Sequence, residues 1–349
     1  MILVPDPDIQ KTTEHGGTID RPWMFRFRSD GSVQWKQPLR AMVRVKAISR
    51  SGDRVVANTF DEQIVAWNKD GHVEWSQPGH CEPVIFEADK QILCLHDDDS
   101  DPKTAYRVFD WSGKPVTSVP ASAEALHFVV DAEDSKRGVT VASAGGGVTH
   151  FEKNTVAWTS KISGEVVRMV GDNELTWILE LRKISSRARK QVLSVLDGKG
   201  RRCGERELDS YSEQLERGAV PMSVVVYGNN PKGQSLSEFR VTFKSDGNCD
   251  IQPGFKHSDP YFADFSPKLI SVGGRVLAGF TPSSVVTRVE GLPDSHLWSL
   301  DQAGKIQSEI LVPTQDGSYL TTAAKIDGAI WVWVGSDLSK LSLYKISSD

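Results

Sequence analysis

The stretch Val55 to Pro78, VVANTFDEQIVAWNKDGHVEWSQP, constrains this chain more than any other, because it reads as three consecutive strands and recurs in altered form along the sequence. Val55, Val56 and Ala57 form a short apolar run. Gln63, Val65 and Trp67 alternate with Ile64 and Ala66, and Val73 and Trp75 alternate with Glu74 and Ser76. A period of two rich in β-branched and aromatic residues is the mark of a strand. Between the second and third runs stands Asn68-Lys69-Asp70-Gly71, whose Asp-Gly pair supplies the positive φ angles of a tight hairpin. The unit is a meander.

Equivalent turns stand at Ser29-Asp30-Gly31, Trp111-Ser112-Gly113, Glu152-Lys153-Asn154, Leu196-Asp197-Gly198, Ser245-Asp246-Gly247 and Asp301-Gln302-Ala303-Gly304. Subtracting successive turn residues 31, 71, 113, 154, 198, 247 and 304 gives intervals of 40, 42, 41, 44, 49 and 57. A period near forty with four short strands per unit is propeller-blade spacing, not that of a helical solenoid. It predicts an all-β fold, a seven-bladed β-propeller of four-stranded antiparallel blades with the N-terminal segment closing the last blade; eight blades is the alternative. Residues 1–21 read as an irregular lead-in and 22–349 as a single domain, since a ring of such units absorbs the whole length.

A tryptophan recurs four residues after the turn at Trp35, Trp75 and Trp158. The pattern of apolar run, polar turn, x-x-A-W, D-G and x-V-x-W resembles the repeat of the quinoprotein-type (PQQ-like) β-propellers, closely over residues 23–162 and loosely over 163–349, where Cys203, Cys249 or Ile306 replaces the tryptophan. The resemblance implies that this tryptophan, at the start of the outermost strand, docks one blade on the next. Quinoprotein dehydrogenases also carry a vicinal cysteine pair, and no two cysteines here are adjacent, so dehydrogenase activity is not carried over. Scaffold members of the family imply a propeller that binds another macromolecule.

Composition narrows the partners. With 39% apolar and 25% charged residues the chain is an ordinary globular one, and a net charge of -5 gives no overall reason to expect nucleic acid. Cys81, Cys94, Cys203 and Cys249 show no C-x-x-C spacing, which argues against a zinc site or a thioredoxin-like motif and reads as packed thiols. No apolar run reaches the roughly 18 residues of a membrane span. The N-terminal residues show no basic segment followed by an apolar one, so the expected compartment is the cytoplasm, or the periplasm if a leader precedes the mature chain. A monomer is expected.

The connections between units carry a recurring acid: Glu82, Glu124, Glu165 and Asp316, with Arg40 the exception. In a propeller these would enter the inner strands near the axis, joined by His80, His257 and Asp259, and make a mostly negative central mouth suited to a cationic ligand group. The bland alternative is that they satisfy turn amides or pair locally. His96-Asp-Asp-Asp-Ser-Asp101 begins like a calcium loop but has Pro102 at the glycine position and Val108 at the twelfth, so it reads as a solvated acidic turn. No metal is expected.

From Leu181 to Arg206 nine basic residues, including Arg182, Lys183, Arg187, Arg189 and Lys190, stand against Asp197 and Glu205, a candidate polyanion-binding patch or a charged strand edge. Ser210 to Gly218 predicts a single helical turn. Long connections are expected between the second and third strands of units three (96–103), five (181–190), six (228–237) and seven (281–295), which makes that rim the candidate working surface. There is no G-x-S-x-G, H-E-x-x-H, P-loop or dinucleotide fingerprint, so no catalytic residue and no cofactor is expected. The leading reading is a non-catalytic scaffold with an unidentified protein partner; a small-ligand or carbohydrate-handling mouth and a polyanion-binding module are the alternatives.

Overall fold

The computed structural model describes residues 2–5, 11–12, 18–19, 22–28, 32–41, 43–49, 51–87, 89–95, 104–120, 125–131, 138–143, 145–172, 175–186, 188–209, 211–230, 233–259, 265–282, 295–312, 319–326, 329–335 and 341–346. The chain divides into two compact units, residues 1–144 with 148–157, and 145–147 with 158–349.

In the first unit the strands Ile2–Pro5, Pro22–Phe27 and Val33–Pro38 form sheet one, and Lys11–Thr12 pairs with Thr18–Ile19. Sheet two is Val43–Ile48, Arg54–Thr59, Gln63–Asn68 and Val73–Pro78; sheet three is Glu82–Phe86, Gln91–Leu95, Thr104–Asp110 and Pro115–Pro120. Sheet four, Ala125–Asp131, Gly138–Ser143, Gly147–Glu152 and Thr155–Lys161, contains the division in its last strands. In the second unit, sheet five is Glu165–Asp172, Leu175–Lys183, Arg189–Leu196 and Arg202–Glu207, and sheet six is Tyr211–Arg217, Ser223–Asn230, Gly233–Phe243 and Cys249–Asp259. Sheet seven is Phe265–Val272, Arg275–Pro282, Ser295–Leu300 and Ile306–Val312; sheet eight is Tyr319–Ile326, Ala329–Gly335 and Leu341–Ile346. Every sheet is an antiparallel meander with strands in chain order.

The second strand of sheet six is apolar at consecutive positions, Val224 to Tyr227, because both of its faces are covered. In Ser223–Asn230, Val224 and Val226 enter the core shared with sheet five, alongside Trp177, Leu179 and Leu193, while Val225 and Tyr227 enter the core shared with sheet seven, alongside Val276 and Trp298. Each fully buried aliphatic side chain contributes roughly 1.5–3 kcal/mol.

A second contact joins consecutive sheets. Trp35 donates its indole N–H to the Lys69 carbonyl (2.9 Å) and Arg26 donates to the same oxygen (2.7 Å); Trp75 (3.0 Å) and Arg54 (2.6 Å) repeat the arrangement on the Trp111 carbonyl. The receiving turn is a three-residue loop in which the glycine alone has positive φ, not both residues of the Asp-Gly pair as expected: Gly71 and Gly113 donate back to Asn68 and Asp110, and the ladder slips by one residue beside each loop. The matching residue in sheet five is Gly200 (φ 75°), not Gly198. The docking role implied for the tryptophan thus rests on its ring lying over the turn glycine.

Four expectations need correction. Ser210 to Gly218 holds the strand Tyr211–Arg217, because its backbone pairs with Ser223–Asn230 and that ladder outweighs a local capping signal. The supposed loops of units five and six are largely ladder: Arg182 faces Lys190, Lys183 faces Arg189, and Asn230 faces Gly233. The N-terminal strand Ile2–Pro5 pairs with Pro22–Phe27 instead of closing the last sheet. The cysteines are not thiols. Cys81 is bonded to Cys94, brought opposite by the first hairpin of sheet three, and Cys203 to Cys249, brought together because the last strands of sheets five and six run side by side.

Candidate functional site

The connection residues are engaged one by one. Arg40 lies 3.7 Å from Asp61 and His80 3.6 Å from Glu62, both acids belonging to the turn after Thr59. Glu82 opens the first strand of sheet three opposite Leu95, and Glu165 opens the first strand of sheet five, exposed and 3.9 Å from Arg189. His257 is on the last strand of sheet six, not on an inner one. Its Nε2 donates to the Gly304 carbonyl at 2.5 Å, while Phe255 packs on Gly304, so this pair occupies the docking position that tryptophan takes elsewhere. Asp259 ends the same strand. Glu124, Asp316, the acidic turn 96–101 and residues 283–294 lie outside the described residues. Among the described residues no group of three or more His, Cys, Asp or Glu is placed to hold a metal.

The basic stretch is interleaved with acids within it and at its two ends, Glu205, Glu180 and Glu207. Arg182 donates to Glu180 at 2.6 Å and to Glu205 at 2.7 Å, Arg202 reaches Glu205 at 3.2 Å, and Lys190 contacts Glu207 at 2.6 Å. Lys183 and Arg189 face each other at the hairpin end, and Arg187 lies outside the described residues. Glu180 is fully buried and also accepts from Ser194 at 2.5 Å. Burial pushes its carboxyl up, but the hydrogen bonds of Arg182 and Ser194 and the charges of Arg182 and Arg202 outweigh that and hold it below the ordinary value. The same Arg182 hydrogen bond depresses Glu205. Antiparallel pairing brings Arg182 to Glu205 and Lys190 to Glu207, while Glu180 and Glu207 lie just outside the 181–206 stretch.

A further site escaped the sequence. A pocket of about 130 Å³ opens between sheets five and six, walled by Leu208, Val226, Phe239 and Phe255, with Glu207 and Lys256 also lining it. Glu238, 1% exposed, borders the pocket, but alternation along its strand places its side chain with Leu236 and Arg240 on the face toward sheet seven, opposite Phe239. Its Oε2 accepts from Arg240 Nε at 2.8 Å and Nη2 at 2.7 Å; its Oε1 is buried without a hydrogen-bond partner. Opposite it the last strand carries an extra residue: Ser237 faces Lys256 and Phe239 faces Pro253, so Gly254 and Phe255 stand against Glu238 alone. A side chain at Gly254 would collide with the Glu238 carboxylate. The one trace in the sequence is a glycine inside an otherwise regular strand, the usual mark of a bulge.

No family model matches the chain, and no curated protein matches it significantly. Among solved structures, BamB from Moraxella catarrhalis superposes with a TM-score of 0.61 at 14% identity, covering 90% of this chain and 89% of that one. The β-propeller domain of Cps50 (Swd1) from Myceliophteria thermophila gives 0.58 at 10% identity, covering 88% and 97%. The chain folds as a β-propeller of antiparallel meanders. Among the described residues no helix is long and apolar enough to cross a membrane.

Proposed function

We propose that this propeller is a non-catalytic scaffold that holds a protein partner against the tips of its second-to-third-strand hairpins. The observation that carries the reading is that these tips present large apolar side chains to solvent, Phe60 (57% exposed) in sheet two and Ile184 (61%) in sheet five. Exposed aromatic and branched side chains on rigid hairpins are the raw material of an interface core. The charged candidates offer less. Arg40, His80 and Glu165 have local ion partners, which supports a small-ligand mouth poorly, and Glu180, Glu205 and Glu207 neutralise the basic stretch, which supports polyanion binding poorly.

The sheet count among the described residues, six of four strands and two of three beside the small pair Lys11–Thr12 and Thr18–Ile19, favours eight blades over the seven expected from turn spacing. Two disulfides favour an oxidising compartment over the cytoplasm.

The test is chemical cross-linking in extracts of the source cells followed by mass spectrometry, with wild type, Phe60→Glu, Ile184→Glu, a deletion of residues 283–294, and Val116→Glu on a last strand as control. The proposal expects one cross-linked species to be lost from at least one hairpin variant and kept in the control. Equal capture by all forms would overturn it.

A further inference from the structure

We propose that the pocket between sheets five and six binds a free α-amino acid with a small apolar side chain, its carboxylate on Lys256 and its ammonium on Asp209. The inference is independent of the hairpin-tip reading. Strand register fixes what the sheet-six wall presents. Val226, Ser237 and Lys256 are direct cross-strand partners on the second, third and last strands, so the three share one face. Val226 and Phe239 turn that face toward sheet five, whose outgoing segment supplies Leu208, packed on the same core, and Asp209. Pro253 and Lys256 would alternate to opposite faces of a regular strand, but the bulge between them puts Pro253 opposite Phe239 and Lys256 opposite Ser237, on the pocket side.

The charges select the ligand. Of the five charged side chains around the pocket, three are committed elsewhere: Arg206 donates to the Ile251 carbonyl at 2.9 Å, Glu207 holds Lys190 at 2.6 Å, and Glu238 holds Arg240 on the far face of its strand. Among the described residues the side chains of Asp209 and Lys256 have no hydrogen-bond or ion partner, each other included. Both are exposed, so neither is a buried unpaired charge, and both are open to a ligand. A simple anion or cation would meet one of them and be repelled by the other, whereas a zwitterion satisfies both. Ser237, beside Lys256 on the ladder, adds a hydroxyl donor for the carboxylate. The volume of about 130 Å³ is near the roughly 150 Å³ that admits benzene and below the roughly 300 Å³ at which pockets for larger ligands begin, which suits a side chain the size of valine or leucine.

The experiment titrates the full chain, labelled at the methyl groups of leucine and valine, with unlabelled L-leucine at pH 7 and follows Leu208 and Val226 by NMR. 3-Methylbutylamine, which lacks the carboxylate, and 4-methylpentanoate, which lacks the ammonium, are the single-charge arms. Saturable shifts are expected with L-leucine, and binding about tenfold or more weaker with each arm, because one charge-assisted contact is lost. Lys256→Met is expected to erase the preference over 3-methylbutylamine and keep that over 4-methylpentanoate, and Asp209→Asn to do the reverse. Both positions are exposed, so both variants are expected to fold. Leu208→Trp, which fills the pocket, is expected to abolish the response at Val226. L-Leucine binding no tighter than either arm, preferences unchanged in both charge variants, or no saturable response to L-leucine would overturn the proposal.

Discussion

The indole of Trp75 lies over the turn glycine Gly113 of the following sheet, so close that a Cβ built on Gly113 would stand 2.6 Å from the ring. The glycine is needed twice, for a φ of +83° and for the approach of the ring. Gly113→Ala is therefore expected to cost about 2–5 kcal/mol, the sum of a left-handed non-glycine residue and an overpacked contact. Gly247 has a similar φ of +81° but open space, with Arg201 the nearest atom at 3.8 Å, so Gly247→Ala is expected to cost only about 1–2 kcal/mol. Urea midpoints of the two variants separate packing from backbone strain, and equal losses would show that the indole does not hold the joint.

That joint marks how far the sequence could be read. The alternation around Val55 to Pro78 and the tryptophans four residues past the turn are local signals, and both sheets and docking rings stand where they point. What stayed hidden depends on pairing between distant residues. Cys203 finds Cys249 only once two last strands lie side by side; Arg182 finds Glu205 only once three strands are in register. Polar hairpins such as Leu181 to Lys190 look like loops because charged residues on an extended ladder lack the apolar alternation that identifies strands. The room for the Glu238 carboxylate depends on a bulge at Gly254, and a bulge is a property of two strands together.

Acid should release the buried network of sheet five. Glu180 and Glu205 are both held below their ordinary values in the folded chain, so they contribute stability above the unfolded carboxyl value of about 4.3 and lose it as pH falls through their folded values. Glu180→Gln breaks a buried pair and is expected to lower stability by about 3–5 kcal/mol at pH 7. The gap between wild type and variant should stay constant down to about pH 4.3 and narrow below it. Urea unfolding across pH 3–7 measures this; a gap that does not narrow in acid would remove Glu180 from the acid response.

The interleaved acids give an expectation for polyanions. With Lys190 on Glu207, Arg189 near Glu165 and Arg182 between Glu180 and Glu205, little uncompensated positive charge remains to displace counterions. The chain is expected to leave a heparin column at or below physiological ionic strength, and Arg189→Glu should not move its elution. Glu205→Gln with Glu207→Gln, which uncovers Arg182 and Lys190, should delay it. Strong retention of wild type, abolished by Arg189→Glu, would restore the basic stretch as a binding surface.

The two disulfides differ in what they hold, and their loss should differ in consequence. Cys81–Cys94 closes a loop of 13 residues within one hairpin, whereas Cys203–Cys249 spans 46 residues and ties the last strands of two sheets where the sequence lacks the docking tryptophan. On loop-closure entropy alone the first contributes about 3 kcal/mol and the second about 4 kcal/mol. Between those last strands the native state adds the Arg206 to Ile251 hydrogen bond, worth about 1 kcal/mol, while Gln191 and Ser212 join the two sheets farther in. Paired Cys→Ser variants, melted beside wild type with and without reductant, are expected to rank wild type above the 81/94 variant and that above the 203/249 variant. Reductant should abolish most of the spread. The opposite order would mean that Arg206 and the shared apolar core hold sheets five and six together without the covalent tie.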